Sequence, residues 1–136
     1  MKKSSIKNIK PAFADARGSI FDVFDGEDIQ HIGFITSKKG SVRGNHYHKR
    51  ATQYTYLLKG KAKWVTRDMR EKSAKTSSRI LAPGCLAVDT PYVAHALVAL
   101  SDAEFIFFTD RARFGKKGYE EDTFRVRLTG EIEFGA

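Results

Sequence analysis

The chain alternates between short apolar-rich runs and clusters of turn-forming residues. Ser19-Ile-Phe-Asp-Val-Phe-Asp25 is dense in β-formers and runs into Gly26. His31-Ile-Gly-Phe-Ile-Thr36 alternates loosely and stops at Ser37-Lys-Lys-Gly40. Gln53–Leu58 and Lys61–Arg67 flank Lys59-Gly60 and predict a hairpin. Ser73–Ser78 reads as a polar loop, and Arg79-Ile-Leu-Ala82 is cut off by Pro83-Gly84. Leu86-Ala-Val88 precedes Asp89-Thr-Pro91, and Ala94–Leu100 and Glu104–Thr109 predict two further strands. Apolar alternation at Phe124, Val126 and Leu128 opens a tail that runs to Phe134. No helical periodicity lasts beyond a turn or two. Many short strands without an internal repeat predict an all-β sandwich or barrel of antiparallel strands.

A length of 136 residues predicts a single domain, residues 1–136, able to build a core without disulfides. Cys85 is the sole cysteine, which excludes an intrachain disulfide and fits a reducing cytoplasm. The N-terminus is basic but lacks the apolar core of a signal peptide. No apolar run approaches the roughly 20 residues of a membrane span. The net charge is +8, with Lys and Arg scattered along the chain and no nucleic-acid motif or basic tail beside them. That spread predicts a solvated basic surface and no nucleic-acid partner; it also suits a small anion such as a phosphorylated metabolite.

The candidate chemistry concentrates in Gly40-Ser-Val-Arg-Gly-Asn-His-Tyr-His-Lys-Arg-Ala-Thr-Gln53 and in Pro91-Tyr-Val-Ala-His95. Residues i and i+2 of a strand share a face, so His46 and His48 project together and Tyr47 projects away. Two imidazoles on one strand form half a metal site or an acid/base pair. With His95 on a neighbouring strand, and Gln53, three imidazoles and an amide would suit a divalent first-row metal. The plainer reading of His95 is a packed barrel residue, and of Gln53 an ordinary strand position. Arg43, before Gly44, suits a bidentate phosphate contact; Arg17, beside Gly18, serves equally as a turn residue. Tyr47, Tyr54, Tyr56 and Trp64 read as barrel core or as a stacking surface for a base or sugar. Tyr92 is a candidate proton donor, and His31 is structural. Lys116-Lys-Gly-Tyr-Glu-Glu-Asp122 reads as a charged surface loop without a role.

The spacing Gly40, five residues, His46-x-His48, four residues, Gln53, six residues, Gly60, followed by Pro91-x-x-x-His95, resembles the paired motifs of the cupin superfamily. That resemblance implies an antiparallel jelly-roll barrel. Its usual first motif carries Glu where this chain has Gln53, a weaker metal ligand. Asp15-Ala-Arg-Gly-Ser-Ile20 and Arg43-Gly-Asn-His46 are similar to signatures of cupins acting on nucleotide-linked 4-keto-6-deoxy sugars. These include the dTDP-4-dehydrorhamnose 3,5-epimerases, the sugar 3,4-ketoisomerases and the C3-epimerising cupin domain of capsular-polysaccharide enzymes. The resemblance implies a dTDP- or UDP-linked sugar as ligand, with Arg17 and Arg43 on the diphosphate and His46 and His48 moving protons. Gln53 and His95 would complete the substrate pocket. It implies no required cofactor, or one divalent ion (Zn, Fe, Ni or Mn) on His46, His48, Gln53 and His95, and a homodimer. The alternatives are a metal-dependent cupin such as a dioxygenase, and a sugar- or metal-binding cupin without catalysis.

Overall fold

The computed structural model describes residues 5–129. Twelve strands and one short helix follow in order: β1 (Ser5–Asn8), β2 (Pro11–Asp15), β3 (Gly18–Phe21), β4 (His31–Ser37), β5 (Val42–Tyr47), β6 (Gln53–Lys59), β7 (Ala62–Asp68), β8 (Ser77–Leu81), β9 (Cys85–Asp89), β10 (Val93–Ala99), β11 (Ala103–Thr109), α1 (Gly115–Glu121) and β12 (Phe124–Arg125). One sheet has the order β1-β9-β6-β11-β4 and the other β12-β5-β10-β7-β8, while β2 and β3 form a separate hairpin. Neighbouring strands are antiparallel in both sheets. The strand pattern predicts the all-β class, and the jelly roll is the form that the cupin resemblance implies.

The core lies between the sheets. Leu57, Ala87 and Phe105 from the first meet Ala62, Trp64, Leu81 and Leu97 from the second, all buried. Strand β11 alternates cleanly, burying Ala103, Phe105, Phe107 and Thr109 and leaving the residues between half-exposed. Strand β10 is buried along its whole length, as a central strand covered on both faces should be. On the outer side, β4 exposes Ile32 and Phe34, and the hairpin exposes Phe13, Ile20 and Phe21.

The expected hairpin around Lys59-Gly60 does not form. Strand β6 pairs with β9 and β11, whereas β7 pairs with β10 and β8 in the other sheet. Both strands bury apolar side chains in the same core, and they do so from opposite sheets. Gly60 carries the chain across at φ +92°, with Asp102 O only 2.3 Å from where a Cβ would stand. Leu100 N and Ser101 N then donate to Lys61 O at 2.9 and 3.3 Å, tying the crossing to the β10–β11 turn. A Lys-Gly turn signal is local and cannot say which sheet each flank joins. The apolar alternation after Phe124 yields only the short β12; beyond it Leu128 N donates to Asn45 Oδ1 at 3.0 Å. The tail beyond residue 129 lies outside the described residues.

Two glycines separate conformational strain from crowding. Gly84 has φ +93° with nothing within 4 Å of its would-be Cβ, whereas Gly60 has a similar φ and a blocked Cβ. Gly84→Ala should therefore lower stability by about 1 kcal/mol, and Gly60→Ala by roughly 3 kcal/mol, measured from denaturant midpoints. Equal losses would refute the packed crossing.

Candidate active site

Strand β5 delivers His46, and the residue just past its end delivers His48. The register places His95 opposite His46, then slips so that Ala96 faces Gly44. The slip is a bulge at Asn45, which has φ 55° beside Gly44 at φ 93°. A Cβ at Gly44 would lie 2.6 Å from His95 O, so glycine allows β5 to approach β10 here. Asn45 O and Oδ1 accept Val126 N and Leu128 N, which fixes the bulge from outside. The His46 and His48 rings lie 4.9 Å apart, His46 and His95 4.8 Å, and His48 and His95 5.4 Å. One ring nitrogen from each lies within 4.8 Å of the others, and all three residues are buried. Tyr47 points away and stacks on Tyr92 and Phe124; Tyr92 thus takes a place on the far face of β5.

The nitrogens are oriented by main-chain carbonyls. His48 Nδ1 donates to Asp122 O at 2.7 Å, and His95 Nδ1 to Val93 O at 3.1 Å. That leaves the Nε2 lone pair of each neutral ring free. His95 Nε2 is buried with no hydrogen-bond partner among the described residues. His48 Nε2 lies 3.3 Å from Gln53 Oε1, so two acceptors face each other unless the amide is turned. Burial holds all three imidazoles well below the ordinary histidine pKa, His95 at about 4; for His46 and His48 the neighbouring imidazoles push the same way. Near neutral pH they are uncharged bases.

Two residues without a sequence motif join the cluster. Helix α1 brings Tyr119 Oη to 3.5 Å from His46 Nδ1, with the rings 6.1 Å apart. The segment read as a charged loop is thus a helix that faces the site with its one aromatic residue. Its end is held by Asp122, whose carboxylate accepts Lys49 N, Arg50 N and Ala51 N at 2.9 to 3.3 Å. The second residue is Asp89, 2% exposed, which accepts Trp64 Nε1 at 3.1 Å and lies 3.8 Å from His95 Nδ1. Burial pushes its carboxyl up to about 8, so it is mostly protonated at pH 7 and the close pair is neutral with neutral. Trp64 is therefore core, as is Tyr56, while Tyr54 packs edge-on against Phe24.

A cavity of about 360 Å³ opens on the cluster and is lined by Arg43, His46, Gln53 and His95, with Arg113 and Tyr119 on its rim. Arg43 spends two donors on β4 and its end, Nε on Ser37 Oγ at 3.2 Å and Nη2 on Thr36 O at 2.8 Å. Arg17 is not brought to this cavity within the chain. It lies on the β2–β3 turn, largely exposed and paired with Asp15, beside a separate depression of about 250 Å³. His31 packs against Phe107, away from the three histidines. Among the described residues no helix is long and apolar enough to cross a membrane.

A two-sheet jelly roll with His46 of β5 and His95 of β10 converging at its interior has the fold of the RmlC-like cupins. The chain belongs to the polysaccharide biosynthesis C-terminal domain family, whose model matches residues 13–124. Among solved structures, the dTDP-4-dehydrorhamnose 3,5-epimerase from Sulfolobus tokodaii is 26% identical, with a TM-score of 0.68 over 82% of this chain and 70% of its own. A 3,4-ketoisomerase from Helicobacter canadensis is 22% identical, with a TM-score of 0.74 over 90% of each chain. An RmlC 3,5-epimerase from Legionella pneumophila Philadelphia 1, in complex with dTDP-4-keto-L-rhamnose, is 20% identical, with a TM-score of 0.73 over 94% of this chain and 84% of its own. No protein of curated function matches the sequence.

The buried groups respond to pH in opposite senses. The histidines protonate later in the folded chain than in the unfolded one, so their contribution is present above about pH 6.5 and lost on acidification. Asp89, raised from 3.8 to about 8, contributes stability at low pH that is lost as pH rises toward 8. Asp89→Asn should therefore leave Tm almost unchanged near pH 4.5 and raise it by about 5 °C or more at pH 8. A Tm difference independent of pH in thermal melts would contradict the protonated carboxyl.

Proposed function

We propose that this chain is an isomerase of nucleotide-linked 4-keto-6-deoxy sugars, working as a C3 epimerase or a 3,4-ketoisomerase. The carrying observation is the buried, uncharged His46, within 3.5 Å of the Tyr119 hydroxyl and facing a cavity with cationic walls. A 4-keto group makes the C3 proton removable, because the enolate formed places its charge on oxygen. In this reading neutral His46 takes the C3 proton, as a general base must be in its unprotonated form at working pH. The Tyr119 phenol is the donor on the other side of the ring plane. A sugar ring between the two requires their 3.5 Å contact to open, which a helix without buried residues permits. Proton return to C3 from the opposite face gives the epimer. Return at C4, with the O3 proton passing to O4 so that keto and hydroxyl exchange and His48 as the second imidazole, gives the ketoisomer. Arg43, Gln53 and His95 line the substrate pocket.

The same residues fit a divalent ion. The orphaned His95 Nε2, the inward His48 Nε2 and the facing Gln53 Oε1 form a donor set short of one positive charge. His46, His48, His95 and Gln53 would hold such an ion, and neutral imidazoles suit Zn, Fe, Ni or Mn. Bound there, it would supply positive charge to an enolate oxygen. A homodimer belongs to this proposal, supported by the exposed Phe13, Ile20 and Phe21 of the hairpin and by Ile32 and Phe34 on edge strand β4. In such a pair Arg17, remote from its own cavity, meets a diphosphate only in the other copy's site.

The test is NMR of dTDP-4-keto-6-deoxyglucose, and of its UDP-linked analogue, with the protein in D₂O with and without chelator. Deuterium should appear at C3, and ring shifts of the product separate epimer from ketoisomer. His46→Asn should reduce exchange by about 10³-fold and Tyr119→Phe product formation by about 10²-fold. Exchange that survives chelation assigns the base to imidazole alone; loss restored by added zinc assigns the ion a part. No exchange with either nucleotide would move the weight to a metal-dependent or purely binding cupin.

A further inference from the structure

Arg113 occupies a position that the proposed chemistry has not used. Its guanidinium carbon lies 4.6 Å from the Phe107 ring centre and 4.2 Å from that of Tyr119, within cation–π reach of both. Phe107 in turn fills the space over Gly33, where a Cβ would come within 2.1 Å of the ring. Gly33, Phe107, Arg113, Tyr119 and His46 thus form one column from the edge strand to the base. The backbone of α1 closes on the same residue: a Cβ at Gly118 would lie 1.7 Å from Arg113 O. The helix has no buried residue of its own, so this stack and the Asp122 anchor hold it.

The stack is also a wall. A larger cavity of about 560 Å³ borders the same helix and reaches His48, and Arg113 and Tyr119 line both it and the 360 Å³ cavity. Charge separates the two sides. The larger cavity carries Arg50 and Arg111 against Asp28, Asp110, Glu121 and Asp122. The smaller one, which holds His46 and His95, carries Arg43, Lys116 and Arg125 against Glu120 alone. Of these cations Arg125 pairs with Glu120 at 3.2 Å and Arg43 is tied to β4 and its end. Arg113 has no carboxylate or carbonyl on its guanidinium among the described residues. A planar cation with unspent donors, held against two aromatic rings, is prepared to grip an oxyanion in two-point fashion.

Resting on the nucleotide-sugar reading above, we propose that Arg113 is a further diphosphate-binding residue of this site, gripping phosphate oxygens on the His46 side of the Arg113–Tyr119 wall. The two ring contacts hold the guanidinium beside Tyr119 at the cavity wall. Burial already pulls the Arg113 pKa down, and an incoming anion relieves that cost.

The experiment is calorimetric titration of the full chain with dTDP, UDP and the bare nucleosides, together with steady-state kinetics. Arg113→Gln should weaken nucleoside diphosphate binding by about tenfold to a hundredfold and raise KM with kcat nearly unchanged. Arg113→Lys, which keeps the charge and loses the planar fork, should fall between. Arg111→Gln, on the other side of the wall, should change neither. If Arg113→Gln does not fold, the Arg113 Nε–H resonance of the wild-type chain should shift on adding dTDP and stay in place with thymidine. Unchanged diphosphate affinity, an unmoved resonance, or lost kcat with KM held would overturn the assignment and leave Arg113 as a support for Tyr119. A wild-type chain that binds neither dTDP nor UDP would remove the nucleotide-sugar reading itself.

Discussion

Removing three imidazoles from water is the constraint on which the rest of this molecule depends. His46, His48 and His95 sit between two sheets where a charged ring has too little solvent to stabilise it, so each stays neutral well below its usual range. Neutrality gives every ring one donor and one acceptor nitrogen. For His48 and His95 a backbone carbonyl takes the donor, which leaves the lone pairs inside the barrel. A group able to accept a proton or ligate a cation at neutral pH thus follows from burial and two hydrogen bonds, without help from a nearby carboxylate. Asp89 underlines the point: it lies within reach of His95, yet burial keeps it protonated as well.

The site is assembled from parts with different mechanical character. The histidines stand on paired strands packed over the core, with the Asn45 bulge re-aiming His46 toward β10. Tyr119 and Arg113 stand on a segment that buries no apolar side chain and enters its helix through a left-handed Phe114. That segment is fixed by polar means, three amides on the Asp122 carboxylate and one guanidinium between two rings. Elements with few buried contacts have low local stability and are where proteins place parts that move on ligand binding. The rigid half carries the base, and the adaptable half carries the hydroxyl and the cation.

Much of this is legible in the residue pattern. Turn signals at Gly40, Gly60 and Pro83-Gly84, with short β-rich runs between them, define the all-β class, and the i, i+2 rule puts His46 and His48 together with Tyr47 outside. Arg43 and Gln53 fall at the cavity, as the Arg-Gly-x-His segment and its spacing imply. Arg17 does not, because a hairpin's place relative to a distant strand leaves no trace in local pattern. Tyr119 was hidden for a related reason. A Lys- and Glu-rich segment reads as solvated surface, and a lone tyrosine within it is the one hint of an inward face.

Local sequence sets what each segment can be: which runs form strands, which glycines can turn, which side chains can hold a proton or a phosphate. These properties depend on neighbours a few residues away, through φ/ψ preference and side-chain alternation. The tertiary structure alone decided what meets. It sent the flanks of Lys59-Gly60 to different sheets, set Asp89 behind His95, and folded α1 back so that Arg113 and Tyr119 face His46. The physical reason is that burial acts between residues far apart in the chain. The core gains by covering β6 and β7 from opposite sides, and the pKa values of the site exist only once that covering has removed the water.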